Sequence, residues 1–492
     1  MAKSDALRLV PQEGQDGTSQ RRGLELHVSG GAVVRGSFRP PADKSIAHRT
    51  AMLAAICEGQ SFISGYPDSE DCASTARCLR ALGAGLHKDG DALVVSGRGL
   101  RGLREPEDVL DAGNSGTTMR LLSGLLAGQN GLFILTGDQS LRRRPMGRIT
   151  QPLRAMGAKV DGRADGTLAP LVIRGAGREP LRACRHVLPV ASAQVKSCIL
   201  LAGLYAEGTT VVVEPAPSRD HTERMLRFVG VRVKGGATGD IRGPASGDSA
   251  PDPSHTGTEP LYTSGPAEIS IEGGQAPRPF KLRIPGDPSS AAFFLAAAAV
   301  LPGSTVTAMH VCMNPTRLGF MRAIARMGAA VTFEPVPDGG CEPTANIHVE
   351  HQDLIGIDIP PDAVPSMIDE IPLLAVVACL AKTPSSVSGA GELRVKETDR
   401  LAAIVGELSK MGARIEQSGD SLRIWPSRLR GARVSARGDH RMAMALTVAG
   451  LAANGTTIIE GYDCVAVSYR SFADDLALLI GQRFSYEGTN YG

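Results

Sequence analysis

No charge of one sign dominates this sequence: Lys plus Arg number 53, against 51 for Asp plus Glu. A chain that gripped nucleic acid or an anionic membrane through bulk electrostatics would carry a basic excess, so any cation cluster here has to be local. Long hydrophobic runs are missing as well. The longest uninterrupted one, Ala291 to Leu301, is closed by Pro302 and falls short of the roughly 20 residues that cross a bilayer. The opening stretch MAKSDALRLVPQEGQDGTSQRRG has no apolar core of the secretory kind, and residues 1–23 are expected to be a flexible tail. Paired cysteines are also lacking. The nine (Cys57, Cys72, Cys78, Cys184, Cys198, Cys312, Cys341, Cys379 and Cys464) are odd in number, scattered singly and free of any C-x-x-C. That supports neither a disulfide framework nor a zinc site, and it fits a reduced, cytoplasmic compartment with the cysteines as core residues. No His pair stands at ligand spacing and no acidic cluster is obvious, so no metal is expected.

What is present is a globular composition. The 492 residues are 42% hydrophobic and 21% charged, which suffices for two or more domains with real cores. The organising feature is internal repetition. Stretches beginning at Ser45, Asn114, Ser192, Gly286, Ser366 and Gly438 each open with polar residues, continue as a small-residue apolar run of helical length and end in a short β-branched run. Each reads as a buried helix with a polar start, followed by a strand. Between them lies a second element: RCLRALGAGL, PLRAMGAKV, MLRFVGVRV, RAIARMGAAV and ELSKMGARI. In the last, Leu401, Ile404, Val405, Leu408 and Met411 keep helical spacing behind the capping-type Thr398. Gly83, Gly157, Gly230, Gly328 and Gly412 are placed to stop these helices in a left-handed turn. SFADDLALLI, near the C-terminus, would be a sixth copy.

The expected class is therefore α/β, two domains of three repeated βαβ-type units each, with buried parallel helices. The domains are assigned as 24–39 plus 281–492, closed by the N-terminal strand, and 40–280, with a flexible insertion at about 236–278 that holds one short strand near Glu268 to Glu272. If the buried helices run parallel, their N-termini emerge on one face, and two such faces make a cleft suited to anions.

The helix starts and adjoining loops carry the chemistry. PADKSIAHR supplies Lys44, Ser45 and Arg49. GNSGTTMR supplies Asn114, Ser115, Gly116, Thr117 and Arg120, and LRRRPMGR adds Arg142, Arg143, Arg144 and Arg148. SAQVK gives Ser192, Ala193, Gln194 and Lys196, and SRDHTE gives Ser218 and Arg219. IDEIP holds Asp369 and Glu370, VKETDR holds Lys396, Glu397, Asp399 and Arg400, and GDHR holds Asp439, His440 and Arg441. A macrodipole favours negative charge at a helix start, so cations gathered there point to an external anion. So many cations imply more than one anionic group. Asp369 and Glu397 are the exceptions, acids in a cationic surrounding that can stay ionised and accept a proton from a substrate hydroxyl. Each has a plainer reading: Asp369 as a helix cap with Pro372 in the first turn, Glu397 as a first-turn acid. His48, His221 and His440 read as structural, and of the RRRP run only Arg144 is assigned a role.

In this order, PADKSIAHR, GNSGTTMR, RPMGR, SAQVK, SRDHTE, NPTR, IDEIP, VKETDR and GDHRMAMA resemble 5-enolpyruvylshikimate-3-phosphate synthase, in its class II bacterial form, from about Leu24 onward. The resemblance implies an inside-out enolpyruvyl transferase barrel of two domains. It implies transfer of the enolpyruvyl group of phosphoenolpyruvate to the 5-hydroxyl of shikimate 3-phosphate, with loss of phosphate through a tetrahedral intermediate, in aromatic amino-acid biosynthesis. It implies no metal or organic cofactor, small-molecule partners only and a monomer. By motif, Lys44, Ser45, Arg49, Ser192, Ala193, Gln194, Ser218, Arg219, Asp369 and Lys396 would hold shikimate 3-phosphate. Lys44, Gly116, Arg144, Gln194, Arg400 and Arg441 would hold phosphoenolpyruvate. Asp369 would be the base on the 5-hydroxyl, helped by Lys396, and Glu397 would protonate the methylene carbon. Ala42 replaces a common glycine and is expected to crowd that turn. Gly116 is the residue of glyphosate-sensitive relatives, whereas Leu121 departs from their proline, and Arg470 stands where some relatives have lysine.

Two other readings are open on sequence. A related transferase acting on UDP-N-acetylglucosamine would have Lys-Asn in place of Lys44-Ser45 and a loop cysteine, and no cysteine lies between Cys78 and Cys184. A non-catalytic binding module for phosphorylated metabolites or RNA would not need both acids.

Overall fold

The computed structural model describes residues 6–11, 23–236, 265–337, 339–482 and 485–486. Its α-helices are α1 (Lys44–Ala55), α2 (Glu70–Ala81), α3 (Gly116–Ala127), α4 (Gly147–Ala155), α5 (Ala193–Gly203), α6 (His221–Phe228), α7 (Pro288–Val300), α8 (Gly319–Arg326), α9 (Ile371–Cys379), α10 (Arg400–Lys410), α11 (His440–Ala452) and α12 (Phe472–Leu479). The odd-numbered helices are the six repeated apolar runs. They are apolar nearly all round beyond their polar starts, which places them inside a core: in α7 every residue but Val300 is buried. The even-numbered helices include the short copies that end in glycine. Gly83, Gly157, Gly230, Gly328 and Gly412 adopt φ of +90°, +91°, +88°, +107° and +84°, the left-handed stop their position predicts.

Each odd helix runs into a strand, and most even helices run into a pair. The four-stranded sheets share one order: a short parallel edge strand, the strand after the odd helix, then two antiparallel strands; the sheet of Thr456–Glu460 adds Ser485–Tyr486 as a fifth. Around α3, for example, Leu110–Asp111 pairs in parallel with Leu132–Thr136, which is followed by Leu168–Arg174 and Lys159–Arg163. Two sheets exchange their edges. Arg35–Phe38, which precedes α1, pairs with Thr305–Cys312 after α7. Lys281–Arg283, which precedes α7, pairs with Glu58–Ser64 after α1. The chain thus crosses between halves at these two points.

Two hydrophobic clusters result. One gathers Leu26, Val28 and Phe38 with α7, α9 and α11; the other gathers α1, α3 and α5 with Leu282 and Ile284. Lys281–Arg283 therefore sits with the half expected to end at residue 280.

The tail expectation is corrected in part. Leu7–Pro11 is a strand, antiparallel to Leu24–Ser29, with Leu7 and Leu9 buried. Alternation in LRLVP gives it one apolar face to cover the last sheet. Residues 1–5 and 12–22 of the tail, and 237–264 of the expected insertion, lie outside the described residues. Ala267–Glu272 forms the short strand expected there, beside Thr209–Glu214. The cap of α10 is Asp399, whose side chain accepts from Ala402 N, rather than Thr398. Ala42 forms a bridge to Gly286 and keeps a negative φ, so the alanine suits that turn.

Candidate active site

The first turns of α3 and α5 meet, and α1 packs beside them, reaching α5 through Arg49. Asp43, Ser115 and Ser192 cap them, each accepting a backbone N–H from the first turn. Arg49 lies just below, 4% exposed, with Nε donating to Thr222 Oγ1 at 2.6 Å, a terminal nitrogen to Ser197 Oγ at 2.9 Å and another to Ser45 O at 2.8 Å. Burial draws its pKa down to about 10. Arg120 donates to Gln194 Oε1, and Gln194 Nε2 donates to Thr117 Oγ1 at 3.0 Å, tying α3 to α5. Arg144 donates to Asn114 Oδ1 at 2.6 Å. A Cβ on Gly116 would stand 3.0 Å from one terminal nitrogen of Arg120 and 3.5 Å from one of Arg144, so the glycine leaves room for both guanidiniums. Lys44 Nζ rests on Asp71 Oδ2 at 2.7 Å. Burial opposes the ammonium, but Asp71 outweighs it and holds the Lys44 pKa above its ordinary value.

The other half contributes α9, α10 and α11. Arg400, 1% exposed, reaches three acids: Asp439 at 2.7 Å, Glu397 at 2.7 Å and Asp369 at 3.1 Å. Asp369 also takes Lys396 at 3.3 Å and Arg441 at 3.8 Å, and from the first half Arg219 at 2.6 Å. It makes no helix cap: the turn before α9 has no side-chain cap bond, so the capping reading fails. Glu397 takes Arg144 from the first half at 3.5 Å, and Arg148 pairs with Glu392 at 2.8 Å across the same gap.

Burial by itself would raise both acids. For Asp369, the charges of Lys396, Arg441, Arg219 and Arg400 outweigh it and hold the carboxyl well below the usual range. For Glu397, Arg400 and Arg144 do the same. Burial wins at Lys396, whose pKa is lowered despite Asp369, and at His440, held well below the ordinary histidine value. The site thus has two ionised acids, a lysine whose ammonium is less favoured than an ordinary one, and a neutral imidazole.

Beside them opens a cavity of about 480 Å³, lined by Arg120, Ser192, Ala193, Gln194, Ser218 and Arg219 from one half and Ile368, Asp369, Glu392 and Lys396 from the other. Of the residues singled out from sequence, Arg120, Arg148, Ser192, Ala193, Gln194, Ser218, Arg219, Asp369 and Lys396 line it directly. Gly116, Arg144, Glu397, Arg400 and Arg441 join through the contacts above, while Lys44 and Ser45 open α1, Lys44 on Asp71 and Ser45 O accepting from Arg49. Arg142 and Arg143 are exposed. Arg470 lies 60% exposed, facing Asp68 at 3.5 Å and Glu70 at 3.7 Å. Sequence reasoning missed Asp71, which reads as an ordinary first-turn acid of α2. It also gave no role to Arg120, although the residue stands in a quoted motif.

Residues 28–259 and 260–476 match the family model for EPSP synthase (3-phosphoshikimate 1-carboxyvinyltransferase). A 3-phosphoshikimate 1-carboxyvinyltransferase of Bacillus cereus (strain G9842) is 45% identical over 447 residues, spanning 91% of this chain and 97% of that one. One from Bacillus anthracis is likewise 45% identical over 447 residues, with the same coverage. Among solved structures, EPSP synthase from Acinetobacter baumannii aligns with a TM-score of 0.76 at 38% identity, covering 92% of this chain and 96% of that one. The enolpyruvyl transferase NikO from Streptomyces tendae shares the fold, with a TM-score of 0.67 at 19% identity, covering 92% of this chain and 97% of that one. Agreement of this extent, through both halves and all six units, settles the membership: the chain belongs to the EPSP synthase family, the 3-phosphoshikimate 1-carboxyvinyltransferases.

Proposed function

We propose that this chain transfers the enolpyruvyl group of phosphoenolpyruvate to the 5-hydroxyl of shikimate 3-phosphate and releases phosphate. The observation that carries the reading is the meeting of Arg144 and Arg219 from one half with Lys396, Arg400 and Arg441 from the other, around Asp369 and Glu397. Two anionic substrates need cations of this number, and proton traffic needs both acids.

In this reading Ser45, Arg49, Ser192, Ala193, Gln194, Ser218, Arg219 and Lys396 form the acceptor's pocket. Gly116, Arg144, Gln194, Arg400 and Arg441 form that of phosphoenolpyruvate, and Lys44 serves both. Asp369 takes the proton of the 5-hydroxyl as its oxygen bonds to C2 of phosphoenolpyruvate, while Glu397 gives a proton to C3, making a methyl group. The C2–O bond to phosphate then breaks, the departing phosphate takes the proton held by Asp369, and a proton leaves C3 for Glu397. Glu397 must hold a proton at the first step. Substrate anions that draw off Arg144 and Arg400, and bring their own negative charge, raise its pKa toward that state.

The two halves act as domains that close over the substrates. The protein works as a monomer in the cytoplasm, with no metal or organic cofactor. Among the described residues no helix is long and apolar enough to cross a membrane. The test is phosphate release by purified protein given both substrates, and each alone. Release only with both supports the reading; a folded sample that releases none from the pair overturns it.

A further inference from the structure

Below Ser192 and Ser218 lies a buried charge cluster with no part in the chemistry above. Lys196, 1% exposed, stands 2.8 Å from Glu214 Oε2 and 2.8 Å from Glu223 Oε1. Both glutamates are fully buried. Burial opposes the ammonium, but Glu223 and Glu214 outweigh it and raise the Lys196 pKa. Removing one member of such a group leaves an uncompensated buried charge.

Glu214 spends its oxygens on the two serine segments that line the cavity. Oε1 accepts from Ser192 N at 3.3 Å and from the Ser218 hydroxyl. Oε2 accepts from Ser218 N at 3.2 Å, and Lys196 Nζ donates to Ser218 O at 3.2 Å. The start of α5 and the loop before α6 are thus fastened to one carboxylate. The bonding also sets polarity. Ser218 donates its hydroxyl to Glu214, so it walls the cavity and leaves Ser192 as the donor that faces an anion. Ser192 Oγ accepts from Val195 N and keeps its proton for a ligand.

We propose that Glu214, seated on Lys196, is a positioning residue that fixes Ser192 and Ser218 for the phosphate group of the acceptor. The proposal rests on the function given above, which places those serines around shikimate 3-phosphate. Glu214 touches no substrate. It acts by holding the two segments at one spacing.

Glu214→Gln sets an amide N–H₂ against donors that now meet an acceptor, either Ser192 N with the Ser218 hydroxyl or Ser218 N with Lys196. Glu214→Asp keeps the charge opposite Lys196 and draws both oxygens back by one methylene, which guards against loss of folding. Both variants are assayed by phosphate release at varied shikimate 3-phosphate and varied phosphoenolpyruvate. Binding of shikimate 3-phosphate and of unphosphorylated shikimate is measured by calorimetry. The expected result is a rise of about tenfold or more in KM for shikimate 3-phosphate, with kcat and KM for phosphoenolpyruvate within roughly threefold. Affinity for shikimate should hold, so the preference for the phosphorylated acceptor falls. An unchanged KM for shikimate 3-phosphate in folded Glu214→Asp overturns the proposal and leaves the transferase reading standing. So does a parallel loss in every constant, which marks a merely structural role. A wild-type protein that releases no phosphate from the substrate pair overturns the transferase reading itself.

Discussion

Asp369→Asn separates catalysis from binding. Asparagine keeps the volume but removes the charge that faces Arg219 at 2.6 Å, Arg400 at 3.1 Å, Lys396 at 3.3 Å and Arg441 at 3.8 Å. A positioned general base contributes about 10²–10⁴ in rate, or about 3–5 kcal/mol at roughly 1.4 kcal/mol per decade. Turnover should fall by that much. Ligand affinity should move the other way. At an effective dielectric of about 20, unit charges at about 4 Å interact by roughly 4 kcal/mol. Arg219 and Lys396, released from Asp369, are therefore free to attract substrate anions, while Arg400 keeps Asp439 and Glu397 and Arg441 keeps Glu370. The unliganded variant should be destabilised, because removing one partner from a buried ion pair costs about 3–5 kcal/mol, and substrates should restore much of that by binding the folded state. The assays are phosphate release under saturating substrates, calorimetric binding of shikimate 3-phosphate, and melting with and without substrates. Turnover within about tenfold of wild type would refute Asp369 as the base, and a loss of affinity as large as the loss of rate would make it a binding residue.

Two further outcomes follow from named contacts. Gly116→Ala puts a methyl 3.0 Å from an Arg120 nitrogen and 3.5 Å from an Arg144 nitrogen, and should raise KM for phosphoenolpyruvate about tenfold, near 1.4 kcal/mol, with little effect on shikimate 3-phosphate; equal KM values in steady-state kinetics would contradict this. Glu342 is buried against His221, and burial pushes its carboxyl up to about 8, so the folded state holds a proton that the unfolded chain releases from about pH 4.5. Stability from Glu342 is therefore lost as pH rises toward 8, by up to about 1.4 kcal/mol per pH unit. His48 and His221, lowered to about 3 by burial, slope the opposite way between pH 3 and 6.5. Above pH 6.5 Glu342 is left unopposed by them, and Glu342→Gln should melt higher than wild type at pH 8, with the gap shrinking by pH 6; a gap independent of pH would refute the assignment.

Much of the architecture was legible because it repeats. Small-residue runs such as Ala291 to Leu301 have no polar face, so burial was forced, and glycines such as Gly412 marked helix ends through the one backbone region they alone enter freely. The placement of Lys281–Arg283 beside Glu58–Ser64 was not legible, because by pattern alone that strand fits either sheet. The strand Leu7–Pro11 was lost among the polar residues flanking it. At the site, the residue types at the helix starts were readable, but their partners were not. Asp71 beneath Lys44 and Glu214 beneath Ser192 and Ser218 act across 27 residues and 22 or fewer, where sequence spacing carries no signal. Asp369 and Glu397 were readable as acids among cations, whereas their sharing of Arg400 required the fold.

Running the reaction in deuterated water tests the central claim, that this bed of cations and two acids performs addition followed by elimination. Addition delivers a solvent deuteron to C3 of phosphoenolpyruvate, and the resulting methyl group then loses one of its three hydrogens. The account predicts deuterium in the methylene of the enolpyruvyl product, seen by mass spectrometry and NMR, with turnover much reduced in Glu397→Gln. A product formed at full rate with no deuterium at that carbon would contradict it.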